Sequence, residues 1–211
     1  MPPEQPPIFI GLAGPSGAGK TTLVRAIKDE NPHVTHIRLD GFFKPYETFP
    51  SYKRWVNRES PENIEWDMLH AALLKLRSGA PTEFPVYEKK SGVQSGTELI
   101  TPTPIIFVEG YLLYYDPRIR NLFDAKFYLT VSVEQQYARK KNRWPEMDDA
   151  YFYDVVVPIF EMHGSHGARF ADEILDGDVS EGALLHQLIQ TRTYEKFIRP
   201  RANLPHASGI R

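Results

Sequence analysis

Ile8-Phe-Ile-Gly-Leu-Ala-Gly14-Pro-Ser-Gly-Ala-Gly-Lys20-Thr21-Thr22-Leu-Val-Arg-Ala-Ile27 is the stretch on which the reading of this chain turns. Ile8 to Ala13 is short, apolar and rich in branched residues, which suits a buried strand; Leu23, Ala26 and Ile27 then recur at helical spacing. Between them Gly14-x-x-x-x-Gly19-Lys20-Thr21 fits the phosphate-binding pattern G-x-x-x-x-G-K-[ST], in the strand-loop-helix setting that the pattern requires. Glycines allow successive backbone N–H groups to converge on phosphate oxygens, and the helix N-terminus adds positive potential. Gly14, Ser16, Gly17, Ala18, Gly19, Lys20, Thr21 and Thr22 are therefore the expected nucleotide cradle. Lys20, expected at an exposed loop, reaches the β- and γ-phosphates, and the Thr21 hydroxyl can ligate Mg²⁺.

Outward from this loop, strands and helices alternate. Strands are expected at Val34 to Leu39, Ile105 to Val108, Lys126 to Val131 and Ala171 to Leu175. Helices are expected at Asn63 to Arg77, Glu134 to Arg143, Tyr151 to His163 with a kink at Pro158, and Ser180 to Arg192 with Ser180 as N-cap. Such alternation predicts an α/β fold with a mostly parallel sheet and helices on both faces. Residues 79–104 break the rhythm with glycines and prolines and are expected to form a small hairpin excursion, with strands at Thr82 to Tyr87 and Glu98 to Thr101. Residues 1–7 read as a disordered leader, 8–193 as a single domain and 194–211 as a C-terminal tail.

With 211 residues, one domain is the natural size. Lys and Arg number 25 against 27 Asp and Glu, a net charge of −2 that argues against nucleic acid or an acidic membrane as partner. No cysteine is present, which excludes thiolate nucleophiles and Cys-ligated metals. Apolar runs such as Ile105 to Val108 fall far short of the roughly 20 residues of a membrane span. A cytoplasmic location is expected, and the oligomeric state is left open, a homo-oligomer included.

A nucleotide held this way can drive a switch, a motor or a transfer. Neither D-x-x-G nor N-K-x-D, the marks of a GTPase switch, occurs. The apolar strand ending at Val108 carries one acid, Glu109, where motor ATPases usually carry two. Phosphoryl transfer to a small molecule is the favoured use; a nucleotide-dependent regulatory protein without turnover is the alternative.

Several further segments carry a resemblance: Leu39-Asp-Gly-Phe-Phe-Lys-Pro45, Glu65-Trp-Asp67, Pro85-Val-Tyr87 and Val108-Glu-Gly-Tyr-Leu-Leu113. With the phosphate loop, they resemble the P-loop family of uridine–cytidine kinases and nicotinamide riboside kinases, with phosphoribulokinase more distant. The resemblance runs from about Ile8 to Gln190. It implies a P-loop kinase fold with a five-stranded parallel sheet and a lid at about 139–150, and ATP- and Mg²⁺-dependent phosphorylation of the 5′-hydroxyl of a ribonucleoside or another small hydroxyl-bearing metabolite. It also implies roles: Asp40 takes the hydroxyl proton; Glu109, with Thr21 and Asp40, serves the metal; Arg139 and Arg143 act from the lid. Phe43, Trp66, Asp67, Tyr87 and Glu109 face the substrate, Asp67 on the ribose and Trp66 on the base. The hairpin, Pro85-Val-Tyr-Glu-Lys-Lys-Ser-Gly-Val-Gln-Ser-Gly96, lacks the His and Arg with which uridine–cytidine kinases read a pyrimidine. A cationic pyridinium would gain roughly 0.5–2 kcal/mol from the Trp66 face, with attraction from Glu65 and Asp67. The expected order is nicotinamide riboside ahead of uridine or cytidine.

Overall fold

The computed structural model describes residues 6–202 apart from 32–33 and 89–90. Most of the leader and the last nine residues of the expected tail lie outside that set. In chain order the elements are β1 (Ile8–Ala13), α1 (Lys20–Glu30), β2 (Val34–Arg38), β3 (Ser51–Tyr52), β4 (Trp55–Val56), α2 (Trp66–Arg77), β5 (Thr82–Glu88), β6 (Val93–Ile100), β7 (Ile105–Gly110) and α3 (Pro117–Arg120). They continue as β8 (Ala125–Thr130), α4 (Val133–Arg143), α5 (Asp149–Tyr151), α6 (Val157–His163), β9 (Glu173–Asp176), α7 (Glu181–Ile189) and α8 (Arg199–Ala202).

Five strands form one sheet in the order β2-β7-β1-β8-β9, all parallel. Each of the strands β1 and β7 is buried along its whole length, as expected of parallel strands covered on both faces. Alternate residues feed two cores. Phe9, Ile37, Ile106 and Val108 pack with Leu69, Leu73 and Leu76 of α2. Ile8, Ile10, Leu12, Phe107 and Phe127 pack on the other face with Leu23 and Ile27 of α1 and Leu184 and Leu188 of α7. The expected α/β architecture is the observed one.

Register fixes what meets at the sheet's carboxyl edge. Glu109 lies beside Leu12 of β1 and Arg38 of β2, so the phosphate loop, Asp40 and Glu109 all leave the sheet at one edge, where ligands of open parallel sheets bind.

Some boundaries differ from the sequence reading, for local reasons. Helix α2 starts at Trp66, because Asn63 belongs to a separate 3₁₀ turn, Pro61–Asn63, capped by Ser60. Strand β6 begins at Val93 and passes through Gly96, and the register shifts opposite Val86 and Tyr87, skipping Ser95 of β6; a glycine in a strand marks such an irregularity as often as an end. Before Pro158, which has no N–H to give, residues Phe152–Val156 form a π-helical stretch where a kink was expected. Met147, Tyr151, Phe152, Val155 and Ile159 make a third, smaller core beneath it. The expected tail needs correction: residues 194–202 are helical, and Ile198 is fully buried in the core on the α1 face.

Candidate active site

Gly14 and Gly19 carry φ values of 141° and 99°, outside the usual range of L side chains, and the loop they shape opens onto the N-terminus of α1. Lys20 is not at an exposed loop, as the sequence suggested. It is the first residue of α1, 6% exposed, and its ammonium donates to the carbonyls of Gly14 (2.7 Å) and Pro15 (2.8 Å). Burial lowers its pKa, while the charges of Glu109 and Asp40 act in the opposite direction. The Thr21 hydroxyl donates to Glu109 Oε1 at 2.6 Å, and His36 Nε2 stands 3.4 Å from the same oxygen. Burial pushes the Glu109 carboxyl up, but hydrogen bonding with His36, the Lys20 charge and the Thr21 hydroxyl together hold it below the ordinary value.

Three adjoining cavities follow this edge. The smallest, about 80 Å³, is lined by Ser16, Gly17, Gly19, Lys20, Thr21 and Thr22, with Asp40, Glu109, Tyr111 and Arg143 around them. On one side it shares Gly17, Gly19, Thr22 and Arg143 with a cavity of about 430 Å³ that also holds Ala18, Arg139 and Leu184. On the other side it shares Ser16, Asp40 and Tyr111 with a cavity of about 240 Å³ lined by Phe43, Tyr46, Phe49, Arg58, Glu59, Tyr87 and Lys140, among others. Asp40 thus borders both the phosphate cradle and a neighbouring aromatic cavity.

The aromatic cavity has fixed walls. Phe43 meets Tyr87 of the hairpin (centroids 5.4 Å apart) and Phe49 (5.8 Å). Glu59 is 8% exposed and pairs with Lys140 of α4 at 3.1 Å; Lys140 also lies 3.4 Å from the Ser16 hydroxyl of the cradle. The loop holding Glu59 is tied by its own N–H to Asn57 Oδ1 and by Asn63 Nδ2 to the Asn57 carbonyl. Tyr111 is 7% exposed, and its buried hydroxyl has no hydrogen-bond partner among the described residues. Burial, and then the charges of Glu59 and Asp40, push that hydroxyl's pKa well up, so it stays neutral.

From α4, Arg139 donates to the Gly17 carbonyl at 3.0 Å, and Arg143 reaches both the cradle and the larger cavity. The expected lid segment that follows is tied back to the helix: Lys141 binds the Met147 carbonyl at 2.7 Å and Asp149 at 2.8 Å.

Trp66 and Asp67 stand elsewhere. Trp66 stacks on Tyr115 (5.8 Å, 29° between planes) and donates its indole N–H to the Pro61 carbonyl. The Asp67 side chain is 90% exposed and pairs with Arg118 at 2.7 Å. Neither lines any of the three cavities. Asp67, in the first turn of α2, is where the helix macrodipole favours an acid, and the Arg118 ion pair adds a second structural role. Sequence reasoning missed Tyr46, Phe49, Arg58, Glu59, Tyr111 and Lys140. A cue for Glu59 existed: Ser60-Pro61 signals a turn start, and an acid in the preceding loop is free to face a ligand.

The model of the "Phosphoribulokinase / Uridine kinase family" matches residues 9–146. The chain belongs to that family. A uridine kinase of Schizosaccharomyces pombe is 35% identical over 148 residues, covering 67% of this chain and 33% of that protein. A Borreliella burgdorferi uridine kinase is 30% identical over 136 residues, covering 64% of this chain and 66% of the relative. For these two, therefore, the chain spans less than two thirds of the relative's length. A Brevibacillus brevis uridine kinase is 30% identical over 180 residues, covering 80% of this chain and 84% of the relative. Among solved structures, phosphoribulokinase from Rhodobacter spheroides superimposes with a TM-score of 0.58 at 14% identity, covering 81% of this chain and 70% of that one. A chain from Bacillus stearothermophilus, titled a possible uridine kinase, gives 0.54 at 18%, covering 81% and 89%. These two share the fold. No helix among the described residues is long and apolar enough to cross a membrane.

Proposed function

We propose that this member of the family transfers the γ-phosphoryl group of ATP to the 5′-hydroxyl of a ribonucleoside, with a pyrimidine base favoured. The observation that carries this reading is the position of Asp40, a carboxylate on the wall common to the phosphate cradle and the aromatic cavity. An acceptor seated in the second cavity would turn its hydroxyl toward the first, with Asp40 in reach of the proton that leaves as the O–P bond forms. The uridine kinase relatives support a nucleoside as acceptor.

Phosphoryl transfer asks mainly for positioning and charge neutralisation. Lys20 and the loop amides receive the phosphates, and Arg143, bordering both the cradle and the larger cavity, supplies charge to the transferring group; Arg139 braces the Gly17 carbonyl beside it. The larger cavity, beyond the phosphates, takes the donor's nucleoside half. Mg²⁺, when bound, would neutralise charge on the β- and γ-phosphate oxygens either side of the P–O bond that breaks. Its holders would be Thr21 and Glu109, with Asp40 on the same wall: the hard oxygen donors that this ion prefers, few in number because phosphates and water supply the others.

On the acceptor side, Glu59 takes the part expected of Asp67. It is the buried carboxylate of the aromatic cavity, suited to accept hydrogen bonds from ribose hydroxyls, and Phe43, Tyr46, Phe49 and Tyr87 offer rings to the base. The preference for nicotinamide riboside rested on Trp66, Glu65 and Asp67 together with the hairpin's missing His and Arg, and it loses the support of Trp66 and Asp67, which line none of the three cavities.

Incubation with ATP, Mg²⁺ and a panel of nucleosides and small sugars tests the reading. A 5′-monophosphate of uridine or cytidine is expected. ATP binding without any phosphorylated nucleoside would refute it, and a product formed only from a sugar would move the acceptor to another class.

A further inference from the structure

Arg58 lines the aromatic cavity with a charge that the transfer step does not use. Its guanidinium lies between two rings, 4.7 Å from the centroid of Tyr46 and 5.3 Å from that of Trp144, and donates to the Tyr46 hydroxyl at 3.2 Å. Its backbone N–H is held by the Tyr151 hydroxyl at 3.3 Å. No acid among the described residues forms an ion pair with it. The head group is therefore braced in orientation while its charge is left to the cavity. Tyr87 of the hairpin lines the same cavity; burial raises the pKa of its hydroxyl, and the Arg58 charge opposes that.

Its place relative to the reacting end follows from the ring contacts. Tyr111, shared with the phosphate cradle, meets Phe43 at 6.3 Å; Phe43 meets Phe49 at 5.8 Å; Phe49 meets Tyr46 at 5.4 Å; and Tyr46 carries Arg58. Successive ring contacts thus link Tyr111, beside Asp40, to Arg58 on the wall of one cavity. A ligand with its hydroxyl at Asp40 shares that cavity with the Arg58 guanidinium.

A guanidinium has five N–H donors and no acceptor, in a planar fork, and it is always charged. It rewards oxygen acceptors and repels a cation. We infer that Arg58 is the base-reading residue of this site, donating to the carbonyl oxygens of a neutral base and excluding a cationic ring such as the pyridinium of nicotinamide riboside. The inference rests on the nucleoside reading above. It also answers the hairpin, whose sequence from Pro85 to Gly96 contains neither His nor Arg: the reading group comes from the loop after β4.

The test measures kcat/KM for uridine and for nicotinamide riboside with the full chain, as wild type, Arg58→Gln and Arg58→Lys, with KM for ATP as a check on the cradle. In Arg58→Gln, uridine should lose about tenfold or more, the scale of one charge-assisted contact, while nicotinamide riboside gains and KM for ATP holds. Arg58→Lys keeps the charge and loses the fork, so uridine should fall while nicotinamide riboside stays poor. Equal losses for both substrates in Arg58→Gln would reveal a merely structural role and overturn the inference, as would a wild-type preference for nicotinamide riboside. If wild type phosphorylates uridine and Arg58→Gln is indistinguishable from it, only the assignment of Arg58 fails. If wild type phosphorylates no nucleoside, the underlying reading fails and this inference with it.

Discussion

The phosphate cradle and the aromatic cavity share Ser16, Asp40 and Tyr111, yet they are built in opposite ways. The floor of the cradle comes from one continuous loop and the first turn of one helix, with Asp40, Glu109, Tyr111 and Arg143 added around it from other segments. Backbone amides do much of its work, so its spacing is nearly fixed by phosphate geometry. The aromatic cavity draws on the loop after β2, the loop after β4, the hairpin, the end of β7 and α4. Its walls are side chains whose spacing in sequence nothing constrains. One region therefore announces itself in the chain, and the other exists only once the chain has folded.

Substitutions can break or sharpen that contrast. The largest effect is expected at the shared wall. Asp40→Asn keeps the shape and removes the proton acceptor, and should lower kcat by about a hundred- to ten-thousandfold, the range of a general base, with little change in KM for ATP. Unchanged kcat would move the base elsewhere. Lys20→Ala removes a charge from the cradle and should cost at least about a hundredfold in kcat; because its ammonium also ties the Gly14 and Pro15 carbonyls together, thermal unfolding has to be followed alongside. Near-normal turnover would mean that the cradle does not need it.

A smaller effect separates the two carboxylates assigned to the ribose. Glu59→Gln should lower kcat/KM for the nucleoside by about ten- to a hundredfold, as for one or two charge-assisted hydrogen bonds, whereas Asp67→Ala should stay within about twofold, as at an exposed surface site. The reverse pattern would return the ribose to Asp67 and contradict the cavity described above. The smallest effect is expected at Tyr111. Its hydroxyl is buried without a partner among the described residues, so Tyr111→Phe should leave folding stability within about 0.5 kcal/mol or raise it. A clear drop in denaturant midpoint would show that the hydroxyl is bonded in solution.

The same contrast explains what could be read from the sequence. The alternation of elements and the Gly14 to Thr21 loop were legible because periodicity and backbone conformation are local properties, and both persist in the fold. Asp40 and Glu109 were legible as acids at strand ends: register sets Glu109 beside Arg38, the last residue of β2, and Asp40 follows in the 3₁₀ turn Leu39–Phe42. Trp66 and Asp67, expected at the substrate, stand outside the three cavities, because an aromatic–acid pair opening a helix serves packing and surface pairing equally well, here through the Tyr115 stack and the Arg118 ion pair. Glu59 and Arg58 went unread because their partners Lys140 and Trp144 lie some 80 residues further along the chain. The helical turns at 194–202 were overlooked because their apolar pattern is short: Tyr194, Phe197 and Ile198 at i, i+3 and i+4 pack on the α1-side core with Ala202, and only Ile198 among them is fully buried.

The central claim is that a phosphoryl group crosses from the cradle to a hydroxyl held in the aromatic cavity, past Asp40. The most direct test is to follow γ-labelled ATP in a single turnover with uridine and to locate the label in the products. Label on the 5′-oxygen of uridine, appearing at least about a hundredfold more slowly with Asp40→Asn, is the predicted result; label released only as inorganic phosphate, in the presence of saturating uridine, would contradict it.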